Sequence, residues 1–312
     1  MNPVKYIYNV NYQNHEKDLC SFEMRSLFGS FMEGKVFFSE LLIEPSISPF
    51  IRNRLEIIYT ASSLKGIIEL IESNQYVCDD FLVKFYDPSN NIPSRTEKKA
   101  YCKEIGNVIH GYPTFKNPQN TFGLTLYQDM WYFGILTAND MKWQLHNDKP
   151  HSFSSSLGIY MAKVLVNAAG NGDFSKKLID PCCGVGTVLL EANLSGYDIT
   201  GGEINDKVAE SARLNLKHFG YKTSVITGNI KDIEEHYDAS ILDIPYGILT
   251  HTDKANQMMI IRNAKRISDK FVLVACEDMT EELISENFEI IDSCSVRKSR
   301  NNNFVRYIWI CR

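Results

Sequence analysis

The C-terminal half of the sequence alternates regularly between strand-like and helix-like segments, and this alternation restricts the fold more than any other feature. Five short apolar segments have the composition of strands: Lys177–Cys182, Ile199–Ile204, Ser224–Thr227, Ala239–Asp243 and Phe271–Cys276. Three segments between them carry apolar residues at helical spacing and begin near a polar first turn: Thr187–Leu194, Asp206–Phe219 and Asp253–Ile267. Strands and helices that alternate over short connections form a parallel sheet with helices on both faces.

The chain closes with two further strand-like segments, Phe288–Val296 and Val305–Cys311. The stretch between them, Arg297–Asn303, is polar and rich in turn-forming residues, so we predict an antiparallel hairpin at one edge of the sheet. The C-terminal half is therefore predicted to be an α/β domain with a seven-stranded, Rossmann-like sheet and a terminal antiparallel hairpin.

The N-terminal half has a different order of elements, which suits a small ferredoxin-like α+β unit. Its strand-like and helix-like segments are Tyr6–Val10, Lys17–Phe28, Val36–Ile43, Leu55–Thr60, Leu64–Glu72 and Phe81–Phe85. A basic helix, Arg95–Ile109, and a hairpin formed by Phe122–Leu126 and Trp131–Leu136 are predicted to follow.

A polar stretch, Asn139–Ser156, separates the two halves, because Pro150 and four serines interrupt the periodic pattern there. We therefore predict an N-terminal α+β region over residues 1–140, a linker over 141–156 and an α/β domain over 157–312. A chain of 312 residues has room for two domains of ordinary size, at about 100 to 200 residues each.

Composition excludes several classes of protein. The sequence holds no apolar run long enough to span a bilayer and begins without a basic and then apolar leader, so we expect a cytoplasmic protein with no membrane partner. The cysteines form no C-x-x-C pair, so neither a zinc site nor a disulfide framework is predicted. A formal net charge of −5 weakens a nucleic-acid role without excluding it, because a local basic face can still bind phosphates.

A glycine-containing loop joins the first predicted strand of the α/β domain to a helix. It reads Asp180-Pro-Cys182-Cys-Gly184-Val-Gly186-Thr187. Glycines let backbone approach a ligand closely, and the N-terminus of the following helix offers unpaired N–H groups, so this loop is a candidate nucleotide site. A dinucleotide site favours a third glycine at position 189, where this chain has leucine.

An acidic residue, Glu203, ends the next predicted strand and can accept hydrogen bonds from both ribose hydroxyls of an adenosine moiety. The third strand is followed by Asn229, whose side-chain carbonyl can accept from an adenine amino group. Asn in a turn also serves backbone roles. Ile204 and Ile230, beside these two residues, and Asp243, at the end of a later strand, complete the predicted cofactor site.

A third segment carries the predicted chemistry: Asp243-Ile244-Pro245-Tyr246-Gly247, at the carboxyl end of a strand. Methyl transfer to an amino group conjugated with a ring needs acceptors that hold its N–H bonds aside. Asp243 and the carbonyl of Ile244 are candidates for those acceptors, Pro245 fixes the turn, and Tyr246 can stack on a flat base. The carboxylate of Asp243 also favours positive charge developing on the nitrogen.

Two motifs resemble those of one known family. The loop at Asp180–Thr187 is similar to D-P-F-C-G-S-G-T, and the segment at Asp243–Gly247 is similar to D-P-P-Y-G, both found in Rossmann-fold amino-methyltransferases. The likeness is greatest to the THUMP-containing tRNA guanine N2-methyltransferases, in which a serine-rich turn and a helix precede the loop. Here Pro150–Ser156 and Leu165–Ala169 stand in those places.

Before Pro150 the resemblance is carried by three segments similar to the end of a THUMP domain, which in the family binds the acceptor end of tRNA: Ile105–Ile109, Asn117-Pro118 and Trp131–Ile135. The chain departs from the family at Ile244, which replaces the first proline where only a backbone carbonyl is used, and at Asn229, where many members have Asp. Lys98, Lys99 and Lys103 are candidates for a phosphate-binding face, although three lysines on a helix often form only a solvated surface.

The resemblance implies an S-adenosylmethionine-dependent enzyme that methylates the exocyclic N2 of a guanine in tRNA, with the N-terminal region binding RNA. It implies no metal and indicates no protein partner. Alternatives are an amino-methyltransferase of rRNA, of a DNA base or of a protein glutamine, and a catalytically silent RNA-binding subunit. A dinucleotide oxidoreductase is disfavoured by the missing third glycine.

Overall fold

The computed structural model describes residues 5–30, 34–87, 94–153, 156–244, 253–297 and 305–312. The contacts within the chain divide it into two units. Unit 1 contains Met1–Asn11, Met32–Pro45 and Phe50–Asp140, and unit 2 contains Tyr12–Phe31, Ser46–Pro49 and Met141–Arg312. Residues 12–31 and 46–49, which the sequence placed in the N-terminal region, thus group with the C-terminal unit.

The elements follow one another in the order strand β1, helix α1, strands β2 and β3, helix α2, strand β4, helix α3, strands β5 and β6, helix α4, and then β7 to β13 with α5 to α8 among them. The helices are α1 Lys17–Phe28, α2 Leu64–Ser73, α3 Arg95–Val108, α4 Ile159–Gly170, α5 Thr187–Ser195, α6 Asp206–His218, α7 Lys254–Ile267 and α8 Thr280–Ser285. The strands are β1 Tyr6–Val10, β2 Val36–Ser39, β3 Ile51–Ala61, β4 Phe81–Phe85, β5 Asn120–Tyr127, β6 Met130–Ala138, β7 Lys177–Asp180, β8 Asp198–Glu203, β9 Val225–Thr227, β10 Tyr237–Asp243, β11 Ser268–Ala275, β12 Ile290–Arg297 and β13 Val305–Cys311.

Unit 1 is a six-stranded sheet in the order β2-β1-β3-β6-β5-β4, with only the β4–β5 pair parallel. Apolar side chains of α2 and α3 pack on one face, against a cluster that includes Phe81, Phe122 and Phe133. The ferredoxin-like strand order predicted from the sequence does not form. Strand β1 has its two edges occupied by β2 and β3, so β4 pairs with β5 instead.

Strand β2 is shorter than the sequence predicted, because the backbone beyond it bonds to a side chain rather than to a neighbouring strand. The hydroxyl of Tyr8 donates to the carbonyl of Leu41 at 2.8 Å and accepts from the amide of Ile43 at 2.8 Å. Backbone groups that a side chain satisfies have no need of a sheet ladder, so the chain leaves the sheet after Ser39.

Unit 2 contains the seven-stranded sheet, in the order β12-β13-β11-β10-β7-β8-β9. Strands β7 to β11 are parallel to one another, and β13 is antiparallel to both β11 and β12. This confirms the predicted α/β fold with its terminal antiparallel hairpin. Helix α4 is buried along nearly its whole length and contacts α1, α5, β10 and β11, which explains its largely apolar sequence.

Two helices of unit 2 begin at side-chain caps. Asn205 accepts from the amides of Lys207 and Val208 at the start of α6, and Asp253 accepts from the amide of Asn256 at the start of α7. Within the described ranges, no helix is both long and apolar enough to cross a membrane.

Candidate functional site

The parallel strands of unit 2 bring three predicted carboxylates to one edge of the sheet. Asp180 is the last residue of β7, Glu203 the last of β8 and Asp243 the last of β10. Strand β7 lies between β8 and β10, so the ends of these three strands are adjacent. The carboxyl edge of an open parallel sheet is where such folds bind ligands.

The glycine loop after β7 turns tightly before α5 begins at Thr187. Gly184 has φ +53° and Gly186 has φ +82°, both in the left-handed region that favours glycine. A Cβ on Gly186 would also lie 3.3 Å from the Cβ of Ala212. The loop is tied to β8, since the amide of Cys183 donates to the carbonyl of Gly202 at 2.8 Å.

The first residue of α5 has a polar atom available to a ligand. Thr187 is buried, and its hydroxyl has no hydrogen-bond partner among the residues that the structure describes. A buried polar atom without a partner is costly unless a bound group supplies one. Together with the unpaired N–H groups of the α5 N-terminus, it makes the end of the loop a place for polar ligand atoms.

Glu203 organises the ligand edge and keeps acceptor capacity. One carboxylate oxygen accepts from the amide of Gly184 at 3.1 Å, and the other accepts from the amide of Asn205 at 2.9 Å. A carboxylate has about four acceptor positions, so two remain for ribose hydroxyls. Glu203 therefore fixes the glycine loop while remaining able to bind the predicted ribose.

Asp180 is almost completely buried behind the loop, where its carboxylate accepts from the amide of Cys182 at 3.1 Å. Burial raises the pKa of Asp180 well above its usual value, and the nearby charges of Asp243 and Glu203 raise that pKa further. Neither Asp180 nor Glu203 forms a salt bridge within the described residues. The edge is a region of concentrated negative charge, which suits a ligand that brings positive charge.

The two cysteines of the loop are not nucleophiles. Burial raises the pKa of the Cys182 thiol and that of the Cys183 thiol, and the Asp180 and Glu203 carboxylates raise both further. Thiols held in the protonated form are inert, so Cys182 contributes shape and backbone to the predicted cofactor site.

The predicted adenine end contains one exposed apolar side chain and one capping side chain. Ile204 is 68% exposed directly after Glu203, which leaves an apolar surface beside the ribose position. The side-chain oxygen of Asn229 accepts from the amide of Lys231 at 3.1 Å, which gives Asn229 a backbone role in addition to the predicted contact with adenine. Ile230, next to it, is buried. The predicted contacts of these residues with the cofactor stay predictions.

Of the segment Asp243–Gly247, which is predicted to carry the chemistry, the structure describes only Asp243 and Ile244. Asp243 ends β10, and the amide of the buried Ile244 donates to the carbonyl of Val274 at 3.3 Å. This bond continues the alignment of β10 with β11 by one residue and fixes the backbone from which the Ile244 carbonyl projects. Pro245 and Tyr246 lie outside the described residues, and their predicted roles stay predictions.

One residue that the sequence analysis did not identify holds the loop in place. The side chain of Asn215 on α6 donates to the carbonyl of Val185, and it exchanges two hydrogen bonds with the backbone of His151, all at 2.9 Å. Asn215 is fully buried. The sequence feature that could have identified Asn215 is a polar residue at an otherwise apolar position of α6.

The predicted linker is also attached to unit 2. The ring of His146 bonds to the carboxylate of Glu191 on α5 at 2.7 Å and contacts the hydroxyl of Tyr221 at 3.3 Å. Lys163 lies 3.5 Å from the same carboxylate, and both side chains are fully buried. A buried carboxylate is destabilising unless partners satisfy it, so the contacts of Glu191 with His146 and Lys163 hold the middle of α5 in place.

The donor set fits the predicted cofactor. S-adenosylmethionine has ribose hydroxyls, a flat adenine ring and a positively charged sulfonium. The free acceptor positions of Glu203, the exposed Ile204 and the carboxylates of Asp180 and Asp243 match these groups in turn.

A family model and several known proteins match this region of the chain. A model of the family UPF0020, described as an RMKL-like methyltransferase domain, matches residues 149–290. A tRNA (guanine(10)-N2)-dimethyltransferase of Methanothermobacter thermautotrophicus is 27% identical over 262 residues, covering 77% of this chain and 76% of that protein. A protein of the same name from Pyrococcus abyssi is 31% identical over 167 residues, covering 49% of this chain and 50% of its own length. The solved structure of TrmN from Thermus thermophilus has a TM-score of 0.47 at 12% identity, with 99% of each chain covered.

Proposed function

Because residues 149–290 of this chain match the UPF0020 model of RMKL-like methyltransferase domains, we propose that it methylates the exocyclic N2 of a guanine in tRNA. The chain is an S-adenosylmethionine-dependent methyltransferase, and the glycine loop, Glu203 and Asp243 all lie within the matched residues. The acceptor nitrogen, the RNA and the contacts below are the proposal.

S-adenosylmethionine supplies an electrophilic methyl group when it is bound. We assign its ribose to Glu203, its adenine to the surface of Ile204 with Asn229 and Ile230, and its remaining polar atoms to the backbone at Gly184 and Gly186 and the hydroxyl of Thr187. Burial and the neighbouring carboxylates raise the pKa of Asp180, and a cationic sulfonium nearby would offset that shift by favouring the ionised form of Asp180.

The position of Asp243 is the observation that carries the proposed chemistry. It ends the strand beside β7, so that its charge contributes to raising the pKa of Asp180. A carboxylate there can accept a hydrogen bond from one N–H of the target amine, and the Ile244 carbonyl accepts from the other. With both N–H bonds held, the nitrogen lone pair points towards the methyl donor, and the Asp243 charge stabilises the positive charge that develops on nitrogen.

The choice of guanine in tRNA rests on the named activities of the two relatives and on Ile244. An amino-methyltransferase segment that uses only the backbone carbonyl at position 244 tolerates isoleucine there. We propose that the N-terminal region binds the tRNA, that residues 157–312 carry out the transfer, and that the enzyme works in the cytoplasm, where tRNA is found. On α3, Lys98 pairs with Asp87 at 3.3 Å, so Lys99 and Lys103 are the better candidates for phosphate contacts.

Methyl incorporation into tRNA from cells that lack the gene tests the proposal, with nucleosides identified by mass spectrometry. We expect N2-methylguanosine or its dimethyl form to be missing from those cells and to be restored by the purified enzyme. The Asp243→Ala variant should lower kcat/KM by about 100- to 1000-fold, the usual loss when one transition-state contact is removed. Its affinity for S-adenosylmethionine should stay within a few-fold.

The two halves of the proposal fail separately. Label found only in DNA or protein would overturn the tRNA substrate while leaving the enzyme class intact. Undiminished turnover by Asp243→Ala would place the chemistry at other residues. Glu210→Gln serves as the matched control, since it removes a carboxylate from the exposed side of α6 in the same unit.

A further inference from the structure

Unit 2 has a cavity of about 570 Å³ at the edge of the sheet opposite the glycine loop. It is formed where the parallel strands begin and where β13 ends. Four cationic side chains line it, from α1, from the residue before β7, from the start of β11 and from the residue after β13: Arg25, Lys176, Lys270 and Arg312. Pockets that hold small molecules measure about 300 to 1,000 Å³, so the cavity is large enough for more than a single ion.

Two of these cations are neighbours in the sheet. Phe271 pairs with Cys311 in the antiparallel ladder of β11 and β13, so Lys270 and Arg312 stand opposite each other one position further along. Like charges directly opposite in an antiparallel pair are destabilising. The amino group of the half-buried Lys270 donates to the carbonyl of Ala168 at 2.9 Å and to the side chain of Asn171, which holds it in the cavity.

Some of the cationic side chains that line the cavity form a salt bridge with a carboxylate, and others do not. Arg25 is bonded to Asp292 at 2.8 and 2.9 Å. Of the other two acids, Asp238 accepts from the backbone amide of Lys177 at 2.7 Å and Asp269 lies 3.7 Å from His236. Lys176, Lys270 and Arg312 form no salt bridge in the described part of the chain. Three adjacent cations therefore share a cavity without a partner carboxylate.

We propose that this cavity binds a phosphate-bearing ligand through Lys176, Lys270 and Arg312. A phosphate group accepts several charge-assisted hydrogen bonds at once and removes the repulsion among the three cations. The arginine supplies a planar pair of donors, and the two lysines supply point charges. The site is separate from the cofactor edge and does not depend on the proposed substrate.

The electrostatics of Lys270 agree with this arrangement. Burial, together with the charges of Lys176 and Arg312, lowers the pKa of Lys270 to about 7. A bound anion favours the charged form of Lys270, so binding takes up protons and weakens as the pH rises from 6 to 8. The other charged groups that line the cavity are Arg25, Asp238, Asp269 and Asp292.

The phosphate group can come from RNA backbone or from a small molecule, and the experiment separates the two. The first measurement is the melting temperature of the full chain with inorganic phosphate and with AMP. At a ligand concentration of about five times the dissociation constant, we expect Tm to rise by about 2 to 4 °C. The Lys176→Gln and Arg312→Gln variants each change one side chain that lines the cavity and should each weaken binding by about tenfold.

The Lys270→Met variant should lose the response entirely, and Lys177→Gln is the matched control. Lys177 is an exposed lysine beside Lys176 that does not line the cavity, so its variant should respond as the parent does. General stabilisation by phosphate salts affects all variants equally and cancels in this comparison. Sulfate, whose charge is constant between pH 6 and 8, serves as the probe for the pH dependence.

The second measurement is the binding of tRNA transcripts at several salt concentrations. If the ligand is RNA backbone, Arg312→Gln lowers the salt dependence by about one counterion and weakens tRNA binding. If tRNA binding is unchanged while the phosphate response is lost, the ligand is a small phosphate-bearing molecule. The proposal is overturned if phosphate, AMP and tRNA all act equally on the parent, Lys270→Met and Arg312→Gln. Because none of these readouts uses methyl transfer, failure here leaves the proposed activity untouched.

Discussion

The two ends of the seven-stranded sheet in unit 2 carry opposite chemistry. At the carboxyl edge, Asp180, Glu203 and Asp243 gather around the glycine loop, and burial with mutual repulsion raises the pKa of Asp180. At the amino edge, Lys176, Lys270 and Arg312 gather in a cavity, and burial with like charges lowers the pKa of Lys270. Burial and neighbouring like charges therefore shift a pKa at both edges, upwards for the acid Asp180 and downwards for the base Lys270.

The difference shows how one scaffold accommodates ligands of opposite charge. Each edge holds like charges closer together than stability alone favours, and each becomes more stable when a counter-charge arrives. The edges also differ in backbone. Left-handed glycines and a helix N-terminus bring main-chain donors to the carboxyl edge, whereas side chains alone form the amino edge. The expected effects of mutations therefore separate cleanly between the two.

The largest expected effect on cofactor binding is at Glu203. The Glu203→Gln variant removes a charge and one acceptor, and its amide N–H₂ must face either the amide of Gly184 or that of Asn205. We expect the dissociation constant for S-adenosylmethionine to rise by about 10- to 100-fold, the range for losing a hydrogen bond to a charged group. Calorimetric titration measures it, and Glu210→Gln is the control. An unchanged cofactor affinity would remove Glu203 from the cofactor site.

The carboxyl edge was largely predictable from the sequence, because each of its parts stands at the end of a strand. The Asp180–Thr187 loop joins a strand to a helix, and Glu203 and Asp243 end their strands, so the alternation of elements alone brings them to one edge. The structure added what periodicity cannot give: the Asn215 bonds that tie Val185 to His151, and the burial of Asp180. These depend on how α6 packs, which is a tertiary property.

The amino edge was not predictable, because its residues come from distant parts of the chain. Arg25 and Lys270 meet only because α1 packs in unit 2, whereas the sequence placed that helix in the N-terminal region. The ferredoxin-like order failed for a related reason. Local patterns identify strands such as β1 and β4 correctly, but the choice of neighbour is made by competition for strand edges, which no local pattern encodes.

The second prediction concerns pH and Asp180. Since the folded pKa of Asp180 is raised, the folded state disfavours its ionised form, and stability falls as the pH rises above the unfolded pKa of about 3.9. This loss is complete once the pH exceeds the folded pKa. Asp180→Asn keeps an acceptor for the Cys182 amide and does not titrate. We expect the difference between the Tm of Asp180→Asn and that of the parent to shift by about 3 °C in favour of the variant from pH 5 to pH 8.

Melting curves at several pH values, without cofactor, measure this difference. Asp206→Asn, at an exposed position in the first turn of α6, is the control and should follow the parent at every pH. A gap between Asp180→Asn and the parent that stays constant with pH would mean that folding does not raise the pKa of Asp180, and that Asp180 is ionised throughout this pH range.

The smallest expected effect lies at the amino edge, where Arg25 and Asp292 form the paired part of the cavity wall. Both side chains are partly exposed, at 29% and 23%, so solvent screens the pair. Because two hydrogen bonds join the side chains, we expect the pair to contribute about 1 kcal/mol to the free energy of unfolding, near the upper end of the range for exposed pairs. Arg25→Met should therefore lower Tm by about 2 to 4 °C, and less in 1 M salt, where screening is stronger.

The Arg25→Met/Asp292→Asn double variant distinguishes a lost pair from lost packing. Asparagine can still accept from the amide of Ser293, as Asp292 does at 2.8 Å, and it leaves no carboxylate without its cation. We expect the double variant to recover at least half of the Tm lost by Arg25→Met, with cofactor affinity unchanged throughout. If the losses add instead, the contribution of Arg25 is packing along its aliphatic stem. If cofactor affinity changes, the two edges of the sheet are coupled, and their opposite charges do not act independently.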